Sequence, residues 1–350
     1  MHTRIYSIDY LRGILAFFIM LYHYLNWQHL IVVDASSPLA RIATYGVSLF
    51  FIISGFSLTL TYKDKFKNIT LGIFSNYLFK RFIRIYPLFW LILILYLGAL
   101  SFGGREMPSL LEVLSNVTIT FSLFNEYKGG LSVGSWSIGL EIIFYLLLPF
   151  CLYMTGKYFK LSLFVLALII VLSIYFSAYH MYEDMDNYWQ ERLHIINHLY
   201  FFIFGIISSL IYNLYSFLSI SRNILLLGIL LMVGVLIFYP IYGSTLYCVY
   251  QENLIIFTIT IFNIFILIVL LNKDVRSGII MNTLGFLGDR SYTMYLLHPI
   301  VYLFSKNMLF SVIEIHSVFL KTIIMISISI VCSDLIYRFY EIPIKNYFRS

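Results

Sequence analysis

An all-α, polytopic integral membrane protein is predicted by three observations: 61% of the 350 residues are hydrophobic, only 11% are charged, and the mean hydropathy is +0.88. Soluble domains carry about 25% charged residues, and no soluble core of this length could hide so much apolar surface. The net charge of +6 forms no exposed basic run, which argues for basic cytoplasmic loops and against a nucleic-acid partner. Cys151, Cys248 and Cys332 stand singly in apolar segments, giving neither a disulfide framework nor a metal-ligand spacing.

Ten apolar stretches reach spanning length. The first, 7–27, contains Arg12 and His23 and ends in bulky residues rather than a signal-peptidase pattern, so it is expected to remain as a helix. The second covers 41–61. The third, 84–101, is preceded by Lys80 and Arg81 and opens on Arg84. A stretch at 108–124 carries Glu112, Ser115, Asn116 and two threonines, leaving open a re-entrant or an interfacial placement. The fourth span, 137–155, contains Glu141. Runs at 161–179, 195–215, 223–240 and 253–271 follow. The ninth, 284–304, holds Asp289, Arg290 and His298, and the tenth covers 318–338. Residues 1–350 therefore read as a single membrane-embedded domain with no soluble domain appended.

Charge fixes the orientation. With ten spans and both termini cytoplasmic, sixteen of the 23 Lys and Arg fall inside, six fall outside (Arg41, Arg105, Lys128, Arg192, Lys306 and Lys321), and Arg290 lies within a span. Counting 108–124 as a full crossing would invert everything after it and place the acidic loop 180–194 inside. Trp27, Trp90, Trp136 and Trp189 are expected in the interfacial belts.

Ionisable residues inside the membrane are functional candidates, because lipid does not solvate them. The eleven-residue step from Arg12 to His23 is about 20° past three helical turns and rises about 16 Å, so both side chains project from one face at different depths. Glu141 is expected about one turn below the outer surface, and His298 in the outer half. His298 also precedes Pro299, so a histidine bonding carbonyls at a helix kink is an equal reading. The Lys80, Arg81 and Arg84 cluster has two readings as well, a topology signal or an anion site.

IDYLRG with Arg-x10-His in the first span, GVSLFFIISGF in the second, FKRFIRIYPLFW at the third, SWSIGLEIIFYLLLP in the fourth, LGDRSYTMYLLHP in the ninth and YEIPIKNYF near the C-terminus follow one another in order. This series resembles the integral-membrane acyltransferase-3 family, whose members include bacterial O-antigen and other cell-surface glycan O-acetyltransferases. The resemblance runs from residue 5 to about 348. It implies transfer of an acyl group, commonly acetyl from acetyl-CoA, to a hydroxyl of an extracytoplasmic or lipid-linked glycan at the bacterial cytoplasmic (inner) membrane. The family's first-span Arg and His fall on Arg12 and His23, and its basic motif on Lys80, Arg81 and Arg84. Lys80 stands where many members have arginine, which keeps the charge and loses the bidentate fork. Its Trp-Ser-x-x-x-Glu motif falls on Trp136, Ser137 and Glu141, and Ile142 follows where many members have a polar residue. Some members carry a further SGNH esterase-like domain, and none is expected here.

On that chemistry, Arg12, Lys80, Arg81, Arg84 and Arg290 would hold the phosphates of a polyanionic acyl-CoA co-substrate at the cytoplasmic edge. His23 would act as general base or acyl carrier, Glu141 would orient its imidazole, and His298 would bind the acceptor or polarise the carbonyl. No metal is called for. The partners expected are acyl-CoA, a glycan or lipid-linked saccharide, and membrane lipids. A proton-coupled transporter or lipid-linked sugar flippase is the alternative: it accounts for Glu141 and the histidines but not for a cationic patch aligned below a histidine.

Overall fold

Helix starts are written locally in this chain. Ser37 accepts from Ala40 N at 3.3 Å ahead of Pro38, and Thr70 accepts from Ile73 N at 3.3 Å. Ser221 and Ser317 cap two further helices in the same way, each satisfying one of the orphan N–H groups of a first turn.

The computed structural model describes residues 4–29, 37–123, 129–180, 193–216, 220–241, 253–271 and 278–348. Trp189, Cys248, Lys128, Arg192, Lys273, Arg276, Arg349 and most of the acidic loop 180–194 lie outside the described residues. Within them the chain forms α1 (Tyr6–Trp27), α2 (Pro38–Tyr62), α3 (Leu71–Phe102), α4 (Leu110–Val117), α5 (Ser135–Lys157), α6 (Phe159–His180), α7 (Ile196–Ser216), α8 (Arg222–Phe238), α9 (Leu254–Leu271), α10 (Ile279–Phe304) and α11 (Val318–Ile336). A π-turn, Tyr337–Glu341, carries α11 into a last helix at Ile342–Tyr347. The ten predicted segments are thus all helical. Seven of these helices (α1, α2, α3, α5, α6, α9 and α11) are long and apolar enough to cross a membrane. The protein is an all-α, multi-pass membrane protein.

α1 packs most closely on α10, and α2 on α7. Small residues make both approaches possible. A Cβ on Gly13 would lie 2.7 Å from Gly288 N, and one on Gly205 would lie 2.7 Å from Phe56 N. In lipid, where no hydrophobic force drives helices together, such backbone proximity is the main source of packing energy. Arg4 ties the start of α1 to α10 by donating to Asp9 at 2.6 Å and to Asp289 at 2.7 Å. The hydrogen bond to Asp9, with Asp289 adding to it, holds this guanidinium protonated above its ordinary range.

α4 settles the placement of 108–124. It has eight residues, too few to cross, and opens with a capping box between Ser109 and Glu112. Its far end meets the interior of α3: Trp90 Nε1 donates to Val117 O at 2.8 Å, and Tyr86 OH to Thr118 O at 3.0 Å. These donors sit about 18 and 24 Å from the C-terminal end of α3 along its axis, so α4 does not cross and its end packs beside the middle of α3. Buried Asn116 then accepts from Leu131 N at 3.1 Å, holding the return of the chain toward α5.

Candidate functional site

The segment that holds α4 leads into α5. Gly134, with a left-handed φ of 91°, turns the chain into the helix against the ring of Tyr295. Ser137 Oγ and Tyr295 OH are hydrogen-bonded at 3.0 Å, so the first turn of α5 lies level with a residue three positions below His298 on α10. Glu141, one turn deeper, is then about 10 Å below His298. This corrects the expectation of a Glu141 near the outer surface. The 137–155 stretch begins level with Tyr295, well short of the C-terminal end of α10.

At that depth α1, α2, α3, α5 and α10 surround a cavity of about 130 Å³ lined by Arg12, Ser54, Ser57, Arg81, Arg84, Ser137, Glu141, Tyr145, Ser291, Tyr292 and Tyr295 among others. Glu141 accepts from Ser54 Oγ at 3.1 Å and from Tyr145 OH. Among the described residues, no carboxylate lies within 4 Å of Arg12, Arg81 or Arg84. Three guanidinium groups and one carboxylate therefore face the same space, an excess of positive charge. Arg81 sits among the rings of Tyr62, Tyr77 and Tyr145, 5.7–5.9 Å from their centroids, and its buried Nε has no hydrogen-bond partner. Arg84 keeps exposed surface, so the cavity is not sealed.

Above Tyr295 lies a second polar group. His23 Nδ1 is 2.9 Å from His298 Nε2, and the two rings lie side by side, 13° from parallel with centroids 5.0 Å apart. Trp27, one turn beyond His23, stacks on His23 at 4.9 Å and on His298 at 5.8 Å. Tyr24 donates to His298 O at 3.0 Å and meets Ser329 Oγ at 2.6 Å, clamping α10 at this level. Arg12 and His23 thus share one continuous helix and both face α10, as their spacing predicts.

The sequence-predicted residues divide into those the structure gathers and those it sets apart. Arg12, Arg81, Arg84 and Glu141 come together in the cavity, and His23 and His298 form the pair above it. Glu141 and His23 share no partner, so the carboxylate does not orient that imidazole. His298 is fully buried and its ring faces His23 and Met294 O, with no side open to an acceptor. Lys80 is exposed on α3 away from the cavity. Arg290 is also outside it, because its guanidinium is spent on Asp334 at 2.7 Å, on Phe286 O at 3.1 Å and on the rings of Phe286 and Tyr337. Trp136 is buried against Phe51 and His198, and Trp27 and Trp90 have the partners given above.

Tyr145, Tyr295, Trp27 and Ser54 escaped the sequence reading. Three of them sit one helical turn from a predicted residue: Tyr145 from Glu141, Trp27 from His23 and Tyr295 from His298. Such i,i+3 and i,i+4 neighbours share a face, a signal that the abundance of aromatic residues in this chain conceals.

An arginine-rich cavity with an imidazole about 16 Å above Arg12 along α1 can hold an anionic group at one level and present a base at another. A family model described as an acyltransferase domain matches residues 5–338, nearly the whole chain. No curated protein and no solved structure matches it. The order of motifs and the extent of that match agree, and the chain belongs to the acyltransferase-3 family of membrane acyltransferases.

Proposed function

We propose that the protein transfers an acyl group, acetyl in the simplest case, from cytoplasmic acyl-CoA to a hydroxyl of a cell-surface or lipid-linked glycan at the bacterial cytoplasmic membrane. The observation that carries this reading is the convergence of Arg12, Arg81 and Arg84 on one cavity with no carboxylate of the described residues within 4 Å of any of them. Guanidinium groups in this setting suit phosphate oxygens, which they bind by paired, charge-assisted hydrogen bonds. Glu141, fixed by Ser54 and Tyr145, offsets part of the positive charge and so limits how tightly the CoA product is retained.

The pantetheine arm would extend past Tyr295 toward His23. There the acceptor hydroxyl gives its proton to the imidazole, its oxygen bonds to the acyl carbon, and the carbon–sulfur bond breaks. The imidazolium then returns the proton to the departing thiolate, so that ester and free CoA leave with no net change in the enzyme. The acceptor is the part of the proposal drawn from family resemblance rather than from the cavity.

Calorimetric titration of the purified protein with acetyl-CoA tests the donor assignment. Saturable binding competed by free CoA and weakened by salt is expected. Absence of binding with intact, folded protein would remove acyl-CoA as the donor.

A further inference from the structure

We infer that His298 is a positioning residue that fixes the tautomer of His23 and leaves His23 Nε2 as the nitrogen that accepts the proton. This rests on the reading of His23 as the base in acyl transfer and adds which nitrogen acts and why.

The chain of hydrogen bonds has only one consistent direction. Met294 O is a carbonyl and can only accept, and His298 Nδ1 lies 3.3 Å from it, so that nitrogen carries the hydrogen. A neutral imidazole has a single N–H, which makes His298 Nε2 an acceptor. Its neighbour at 2.9 Å, His23 Nδ1, must then be the donor. The lone pair of a neutral His23 is thereby placed on Nε2. The reverse order would set two lone pairs against each other at Met294 O.

Burial keeps His298 neutral in this role. The residue is 0% exposed, and no carboxylate is among its contacts, so an imidazolium there would be an unpaired charge in an apolar surrounding. His23 is less buried than His298, and its Nε2 makes no hydrogen bond among the described residues. Trp27 holds the geometry from one side. Its ring is within 14° of parallel to both imidazoles, so a proton gained by His23 is placed against an aromatic face that stabilises a cation. His298 thus does for His23 what a buried carboxylate does in a triad, holding tautomer and ring plane, but as a neutral acceptor.

Nitrogen NMR of histidine-labelled protein in nanodiscs reads the tautomer directly, with the His23 signals among the eight histidines assigned by their loss in His23→Ala. Wild-type His23 is expected with hydrogen on Nδ1 and none on Nε2. His298→Met, close in volume but without an acceptor at this position, should shift His23 toward the Nε2–H form. It should also lower kcat by on the order of 10²-fold or more while leaving the KM for acetyl-CoA unchanged. His298→Gln, whose amide oxygen reaches the place of Nε2, should restore the Nδ1–H form and most of kcat. Hydrogen on Nε2 of wild-type His23 would overturn the inference even if His298→Met failed to fold, and so would a His298→Met enzyme with wild-type tautomer and kcat. An active His23→Ala enzyme would instead overturn the reading of His23 as base, whatever the spectrum of the wild type.

Discussion

Replacing His23 with alanine should lower acyl transfer by at least about 10²-fold, the lower bound for loss of a positioned general base. The substitution removes the only free imidazole nitrogen of the pair and leaves the arginine cavity, one turn and more below, untouched. Acetyl-CoA affinity should therefore stay at the wild-type value, and the loss should fall on kcat. Folding should survive, because His23 is half-buried and its packing on Trp27 is one contact among many along α1. Acetylation measured in membranes, normalised to protein amount, gives the answer. Near-normal transfer by this variant would remove His23 from the chemistry.

The second large effect is expected at Arg84. Arg84→Ala should weaken acetyl-CoA binding by about 1–3 kcal/mol, the scale of a charge-assisted hydrogen bond, which is roughly 5- to 150-fold, and make the remaining binding less sensitive to salt. Two other cations supply the contrast. Arg290→Ala should leave binding intact and reduce stability, because it abandons Asp334 and two aromatic rings at a nearly buried site. Lys80→Ala, at an exposed position away from the cavity, should change neither. Glu141→Gln should move binding the other way, toward tighter retention of CoA, since it deletes the carboxylate of the cavity. A wild-type affinity in Arg84→Ala would mean that the cluster on α3 serves topology alone.

Much of this arrangement was legible from the chain itself. Helix positions follow from apolar length, and the common face of Arg12 and His23 follows from an eleven-residue step on a regular helix. What the chain did not disclose is depth. The stretch 137–155 is long enough to be a whole span, and nothing in its composition says that its first turn lies level with Tyr295 of α10. Glu141 therefore looked like a partner for the histidines and is in fact a neighbour of the arginines. Partner choice was equally hidden. Arg290 and Arg84 are both arginines in apolar stretches, and only the approach of Asp334 from α11 separates a spent guanidinium from an available one. The His23–His298 pair joins residues 275 positions apart, beyond the reach of any local pattern.

The claim at the centre of this reading is that the donor enters from the side of the arginine cavity and the acyl group leaves from the side of the histidines. Labelled acetyl-CoA, which does not cross membranes, can be supplied to sealed vesicles of either orientation from cells producing the protein. His23→Ala vesicles serve as the blank. Inside-out vesicles should incorporate label into saccharide or lipid-linked material, and right-side-out vesicles should not. Incorporation from the outer face, or equal incorporation from both, would contradict donor entry at Arg12, Arg81 and Arg84.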